Sequence, residues 1–187
     1  MRTKLSFLAM ALSATLLSSA LDAKTLRWSS QGDIATLDPY AHTESFTANV
    51  QHHIYDPLVR RNRKLEIEPA LATSWKIIEP TRWRFTLRQG VKFHNGAPFA
   101  ADDVVASIAR LLDPNARAKG NLPTVLRAEK VDDFTVDMVL NGPYPLLLND
   151  LAGVFIMNKA WLEANNATKP GNIATGTTTF ASTNANG

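Results

Sequence analysis

ALATSWKIIEPTRWRFTLRQGVKFHNGAPFAADDV, residues 70–104, changes its hydrophobic period from two to that of a helix, and that change sets the fold. From Thr73 apolar and polar residues alternate, with Trp75 and Ile77 set against Lys76 and Ile78. After a turn at Glu79–Arg82, Trp83, Phe85 and Leu87 alternate with Arg84, Thr86 and Arg88. One apolar face and one cationic face predict an antiparallel hairpin with one side in water. Gln89-Gly90 turns the chain, Val91 and Phe93 continue the apolar face, and Asn95-Gly96 offers positive-φ residues for another tight turn. The period then becomes helical. Asp102 and Asp103 suit the positive end of a helix dipole, and Val104, Val105, Ile108, Leu111 and Leu112 form the stripe to be buried. Ala100 stands at the cap position without a capping side chain, a loss of about 1 kcal/mol unless another group replaces it. Asp113-Pro114 ends this helix.

Working outward, a second hairpin is predicted from residues 126–131, a turn at Asp132-Asp133, and a strand with Phe134, Val136, Met138 and Leu140 on one face. Residues 146–152 and 158–164 read as helices, the second with Trp161 as its core anchor. Upstream, residues 25–30 read as a strand, and Pro39 pushes Asp38 toward an Asx-turn. A helix follows, capped by Thr43 or Ser45, with Phe46, Val50 and Ile54 on its buried stripe and Asp56-Pro57 at its end. After Asn165 the composition drifts to Thr, Asn, Ala and Gly. An α/β fold follows from this mixture.

Arg2 and Lys4 precede an apolar run over residues 5–17 and the small residues Ser18, Ser19 and Ala20, the pattern of a secretory leader cleaved after Ala20. Such a run rises only about 20 Å as a helix, short of the ~30 Å core of a bilayer. Without residues 1–20 the formal charge falls from +3 to +1, because two cations and no acid are lost. That balance lacks the basic footprint of a nucleic-acid binder. Arg60, Arg61, Arg63 and Lys64 do cluster, and they are read as a solvated loop in preference to an anion or membrane patch. The sequence contains no cysteine, so neither a disulfide nor a lipid-anchoring cysteine can form.

The 70–104 stretch, TLDP at residues 36–39 and YDPLV at residues 55–59 together resemble family 5 of the extracellular solute-binding proteins, which serve bacterial ABC importers for oligopeptides, dipeptides or nickel. The resemblance implies a partial fold of the periplasmic binding protein type II kind: the start of lobe I plus its satellite α/β subdomain, with the second lobe absent from this stretch. It divides the chain into a leader (1–20), the start of lobe I (21–57), a satellite with antiparallel hairpins and helices (58–165) and a returning loop that ends early (166–187). It further implies a monomeric, periplasmic carrier of a peptide or other small solute, working with a permease and ATPase complex of the inner membrane, without cofactor and without nucleic acid. Within that picture residues 41–45 line the cleft. Thr43 and Ser45 offer hydroxyls and amides near a helix start, and Glu44 suits a ligand ammonium; alternatively Thr43 merely caps the helix and Glu44 complements its dipole, with nothing bound.

Other chemistries find less purchase. His52 and His53 are adjacent on the expected helix and point about 100° apart, so they cannot share an ion. His42 and His94 would need partners that the sequence does not place, and His94 suits a structural hydrogen bond in its turn. No cysteine nucleophile, G-x-S-x-G elbow, phosphate-binding glycine loop or H-E-x-x-H helix occurs, and Asp102 and Asp103 diverge on their helix, so no catalytic residue is assigned. Trp28, Trp75, Trp83 and Trp161 fall on apolar faces and are read as core, not as a stacking platform. The competing readings are a secreted hydrolase, a stand-alone secreted structural module and, within the family, a binder of nickel or another non-peptide solute.

Overall fold

The computed structural model describes residues 29–30 and 32–187. The leader at 1–20, Trp28 and most of the expected strand at 25–30 lie outside the described residues. Asp33–Gly187 pack as one unit. Its elements run in the order α1 (Ser45–Gln51), β1 (Val59–Arg61), β2 (Ile67–Pro69), β3 (Ala72–Glu79), β4 (Arg82–Leu87), α2 (Ala101–Leu111), β5 (Val125–Asp132), β6 (Thr135–Leu140), α3 (Leu147–Leu151) and α4 (Lys159–Ala164). Short 3-10 turns at Arg117–Asn121 and Phe180–Ser182 complete it.

The two expected hairpins join into one antiparallel sheet of order β3-β4-β6-β5. Register explains why they merge. Trp83 lies opposite Met138, which lies opposite Ala128, and one row away Phe85 lies opposite Val136. This apolar face carries α2, whose Val104, Ile108 and Leu111 are fully buried with Trp83, Phe85, Leu87, Val136, Met138 and Leu140. The alternate row is charged: Lys76, Arg84, Asp137 and Glu129 face one another across four strands. Arg84 donates to Asp137 at 2.7 and 2.9 Å, and Arg82 donates to Glu129 at 2.6 Å and to Asp137 at 3.2 Å. The cationic face of β4 is thus neutralised by acids from β5 and β6.

Strand β3 departs from the sequence pattern. Trp75 is half-buried and Ile77 is 59 % exposed, so Ile77 is not a core residue. Two register shifts, at Ala72/Ser74 and Ile77/Glu79, interrupt this outer strand, while α2 lies across the sheet on β5 and β6. Alternation therefore marks the face but does not guarantee cover at the edge. Trp161 is also only half-buried, tilted against Phe180, and Leu162 anchors α4 instead. Asn95-Gly96 supplies only one positive φ, +84° at Gly96, because the turn spans Phe93–Gly96 and is closed by Gly96 N–H donating to Phe93 O at 2.8 Å.

Helix α2 recovers its missing cap from within. The Asp103 carboxylate accepts from Ala100 N–H at 2.9 Å, from Lys159 N–H at 2.8 Å and from the Asn158 amide at 3.1 Å. Burial raises the Asp103 pKa, and these three donors pull against that rise. One turn on, Ser107 accepts from Met157 N–H at 2.9 Å and donates to Met157 O at 3.3 Å. A polar stripe at helical spacing, Asp103, Ser107 and Arg110, thereby stitches α2 to the segment around α4.

Candidate functional site

The site is built on residues 36–45, where the backbone would be free to wander were it not tied down. Asp38 folds its Oδ1 onto Tyr40 N–H at 3.1 Å, the expected Asx-turn. It does far more. Arg110 of α2 grips both carboxylate oxygens at 2.6 and 2.7 Å, and Gly171 N–H donates to Oδ2 at 2.9 Å. Arg110 spends its remaining donors on Ala167 O at 2.9 Å, Lys169 O at 3.2 Å and Met157 Sδ at 3.7 Å, and its guanidinium lies 5.5 Å from the Tyr40 ring centroid. The Tyr40 hydroxyl donates to Phe155 O, and burial raises its pKa, which keeps that proton in place. The side chains of Arg110 and Asp38 are 1 % and 0 % exposed, so both charges are held out of water and are answered by this two-point pairing and the donors and acceptors around it. Gly171 completes the junction: a Cβ there would come within 2.9 Å of Thr177 O.

A second set of bonds shapes the turn itself. His42 is buried; its Nδ1 accepts from Glu44 N–H at 3.1 Å, leaving Nε2 to donate to Gln51 Oε1 at 2.9 Å. The Gln51 amide in turn donates to Thr36 O at 3.0 Å. Ala41 O accepts from Ile173 N–H at 3.1 Å, so the 166–187 segment folds back onto this turn. Thr43, Glu44 and Ser45 emerge together as an exposed corner at the start of α1.

Glu44 is the cap of α1, not Thr43 or Ser45. Its carboxylate reaches forward to accept from Thr47 N–H at 3.3 Å and from the Thr47 hydroxyl, and this bonding lowers its pKa. Nor is the buried stripe of α1 Phe46, Val50 and Ile54, which are half-buried; the buried pair is Thr47 and Gln51. The helix has rolled to satisfy polar partners: Thr47 Oγ1 accepts from Ala35 N–H at 3.0 Å while Gln51 bonds Thr36 and His42. Sequence reasoning missed Arg110, Gln51 and Tyr40 as organisers. The available signal was the spacing of Asp103, Ser107 and Arg110 at i, i+4 and i+7 on one helix.

The remaining histidines lie apart. His94 Nδ1 accepts from Gly187 N–H at 3.2 Å, and His52 sits edge-on to Phe155 at 4.6 Å. Among the described residues no group of three His, Asp or Glu side chains gathers to hold a metal ion. A cleft of about 230 Å³ between α2 and α4, lined by Ala109, Arg110, Lys159 and Leu162, is smaller than the ~300–1,000 Å³ of a small-molecule pocket.

A chain with this sheet, this helical cover and a polar turn pinned to α2 has relatives. Residues 66–184 match the family described as "Bacterial extracellular solute-binding proteins, family 5 Middle", and the chain belongs to that family. It is similar to the periplasmic murein peptide-binding protein MppA of Escherichia coli K12, 34 % identical over 161 residues, covering 74 % of this chain and 30 % of MppA. Among solved structures it resembles the periplasmic binding protein AgaA of A. tumefaciens R10 in complex with agropinic acid, with a TM-score of 0.67 at 31 % identity, covering 72 % of this chain and 28 % of AgaA. It also resembles DppA of Helicobacter pylori in complex with the peptide STSA, with a TM-score of 0.63 at 32 % identity, covering 73 % and 32 %. The chain thus spans about a third or less of each relative.

Proposed function

We propose that this chain is part of the solute-capturing component of a bacterial ABC importer and that its cargo is peptide-like. The observation that carries the reading is the family match over residues 66–184, joined to two relatives named or solved with peptides. In this reading the leader at residues 1–20 directs export to the periplasm, where the protein works as a monomer, without a lipid anchor and without covalent chemistry. Residues 21–57 belong to a first lobe, 58–165 to a satellite, and 166–187 return toward the first lobe. Solute bridges this lobe and a second one and shifts the pair toward a closed form that docks on a membrane permease. The exposed corner of Thr43, Glu44 and Ser45 faces the solute. Its support is geometric: the turn is pinned by Asp38, His42 and Ala41, so the corner is presented rigidly.

The test is uptake. A strain lacking the protein should lose import of labelled tripeptides and regain it when the gene returns. Unchanged peptide uptake with lost uptake of an opine or a nickel chelate would move the cargo to another solute class. Unchanged uptake of all three would overturn the reading. Calorimetry on this chain alone should show no micromolar peptide binding, since a bridging solute needs both lobes; tight binding would contradict the two-lobed account.

A further inference from the structure

The β1–β2 hairpin carries residues that the fold itself does not explain. Its turn is built like the one at Phe93–Gly96. In each, a residue donates its N–H to the carbonyl three positions earlier (Leu65 to Asn62 O at 2.9 Å; Gly96 to Phe93 O at 2.8 Å), and the first residue donates to the carbonyl four positions later (Asn62 to Glu66 O; Phe93 to Ala97 O, both 2.9 Å). Both turns need a left-handed residue at the same point. One uses Gly96 at φ +84°, where glycine is free of steric cost; the other uses Leu65 at φ +65°. Leu65 also gains no burial, being 75 % exposed. A strained, solvent-exposed leucine where glycine or asparagine would fit better does nothing for the folded chain.

Its surroundings say what it meets. Asn62 Oδ1 accepts from Lys64 N–H at 2.8 Å and Glu66 N–H at 3.1 Å, so the tip is rigid. Arg60 is paired with Glu68 at 2.6 Å and Arg61 donates to Asn149 O at 3.3 Å. Arg63 and Lys64, exposed beside Leu65, have no ionic partner among the described residues. Leu65 stands between Lys64 and Glu66, and the Glu66 carboxylate is turned back onto the Asn62 amide, which donates to it at 2.9 Å, so Arg63 and Lys64 are the charges left facing outward. An apolar apex beside two unpaired cations is the chemistry of an anionic bilayer surface, where the apolar group enters the headgroup boundary and the cations meet phosphates. A five-residue tip cannot bury the ~1,000 Å² that a specific protein contact needs, whereas a bilayer demands no matching shape.

We infer that the hairpin tip Arg63-Lys64-Leu65 is a weak, reversible contact with anionic lipid headgroups. This is independent of which solute the protein carries. The chain has no cysteine, so a single Leu65→Cys label can report the tip alone. An environment-sensitive fluorophore there should shift to the blue with vesicles of equal parts phosphatidylcholine and phosphatidylglycerol. It should not shift with phosphatidylcholine alone, and a label at exposed Thr175→Cys should stay water-like with both. Read from a label at Lys64→Cys, Leu65→Asn should lower anionic-vesicle partitioning about tenfold while holding or raising the melting temperature, because asparagine tolerates the left-handed region. With the label back at Leu65→Cys, Arg63→Glu with Lys64→Glu should abolish the shift. A water-like label at 65 with anionic vesicles, or Leu65→Asn without effect, would overturn the inference. A shift as strong with soluble polyglutamate as with vesicles would also overturn it, in favour of an acidic protein surface.

Discussion

The four-stranded sheet and the Asp38 junction hold this chain together by opposite means. The sheet is made of neighbours in sequence, two hairpins with a dry face under α2 and a charged face in water. In its ion pairs, such as Arg84 with Asp137, a partly exposed arginine covers a buried carboxylate on the face away from the apolar core. The junction inverts this. Its ion pair is the core, and it joins residues 72 apart at Arg110 and 133 apart at Gly171. The difference is one of dielectric and chain entropy. Apolar pairing near in sequence is closed early and tolerates imperfect edges, as exposed Ile77 attests, whereas a desolvated charge pair tolerates none.

The sharpest way to break that comparison is to remove one charge. Arg110→Ala should cost about 3–5 kcal/mol in a denaturant melt, because Asp38 is left buried and unpaired. Pairing it with Asp38→Asn should recover part of the loss; a single-variant cost below about 1 kcal/mol would mean the junction is not desolvated. Trp83→Ala in the sheet, 7 % exposed in the wild type, should cost a similar 3–5 kcal/mol through cavity formation. No second substitution at a charged site should rescue it, which separates the two mechanisms.

Smaller effects sharpen the contrast. Hydrogen bonds from Arg84, then Arg82, hold the Asp137 pKa below its ordinary value. A folded-state pKa below the unfolded one gives stability that is complete above the unfolded value and is lost as pH falls through the folded value. Asp103, raised by burial, works in the opposite sense, so the quantity to measure is wild type minus Asp137→Asn. That difference should shrink between neutral pH and about pH 3, near and below the ordinary carboxylate range; a constant difference would show that Asp137 is not held ionised by its arginines. Smallest of all, Glu44→Ala should lower the melting temperature slightly by uncapping α1. No change on melting would mean that the Glu44 carboxylate does not cap.

Helix α2 and both hairpins were legible because period and punctuation are local: Trp83, Phe85 and Leu87 are buried as their alternation requires, and Asp113-Pro114 ends α2, whereas α1 stops at Gln51, short of the expected Asp56-Pro57. The corner of Thr43, Glu44 and Ser45 was legible as a place, but not in its capping. Arg110 was hidden, since an arginine in a helix reads as solvated until its partner is found. Phe46, Val50 and Ile54 misled because α1 turns toward hydrogen-bond partners instead of apolar cover.

By itself the sequence determined the order and type of the hairpins and α2 and their apolar faces, because each of these depends on residues a few positions apart, and it carried the family resemblance in short linear stretches between residues 36 and 104. Only the tertiary structure decided that the hairpins share one sheet, that Asp103 also binds the start of α4, and that Asp38 and Arg110 meet in the dry interior. Those outcomes depend on which distant groups reach one another once water is excluded, and the chain's linear pattern carries no record of that distance.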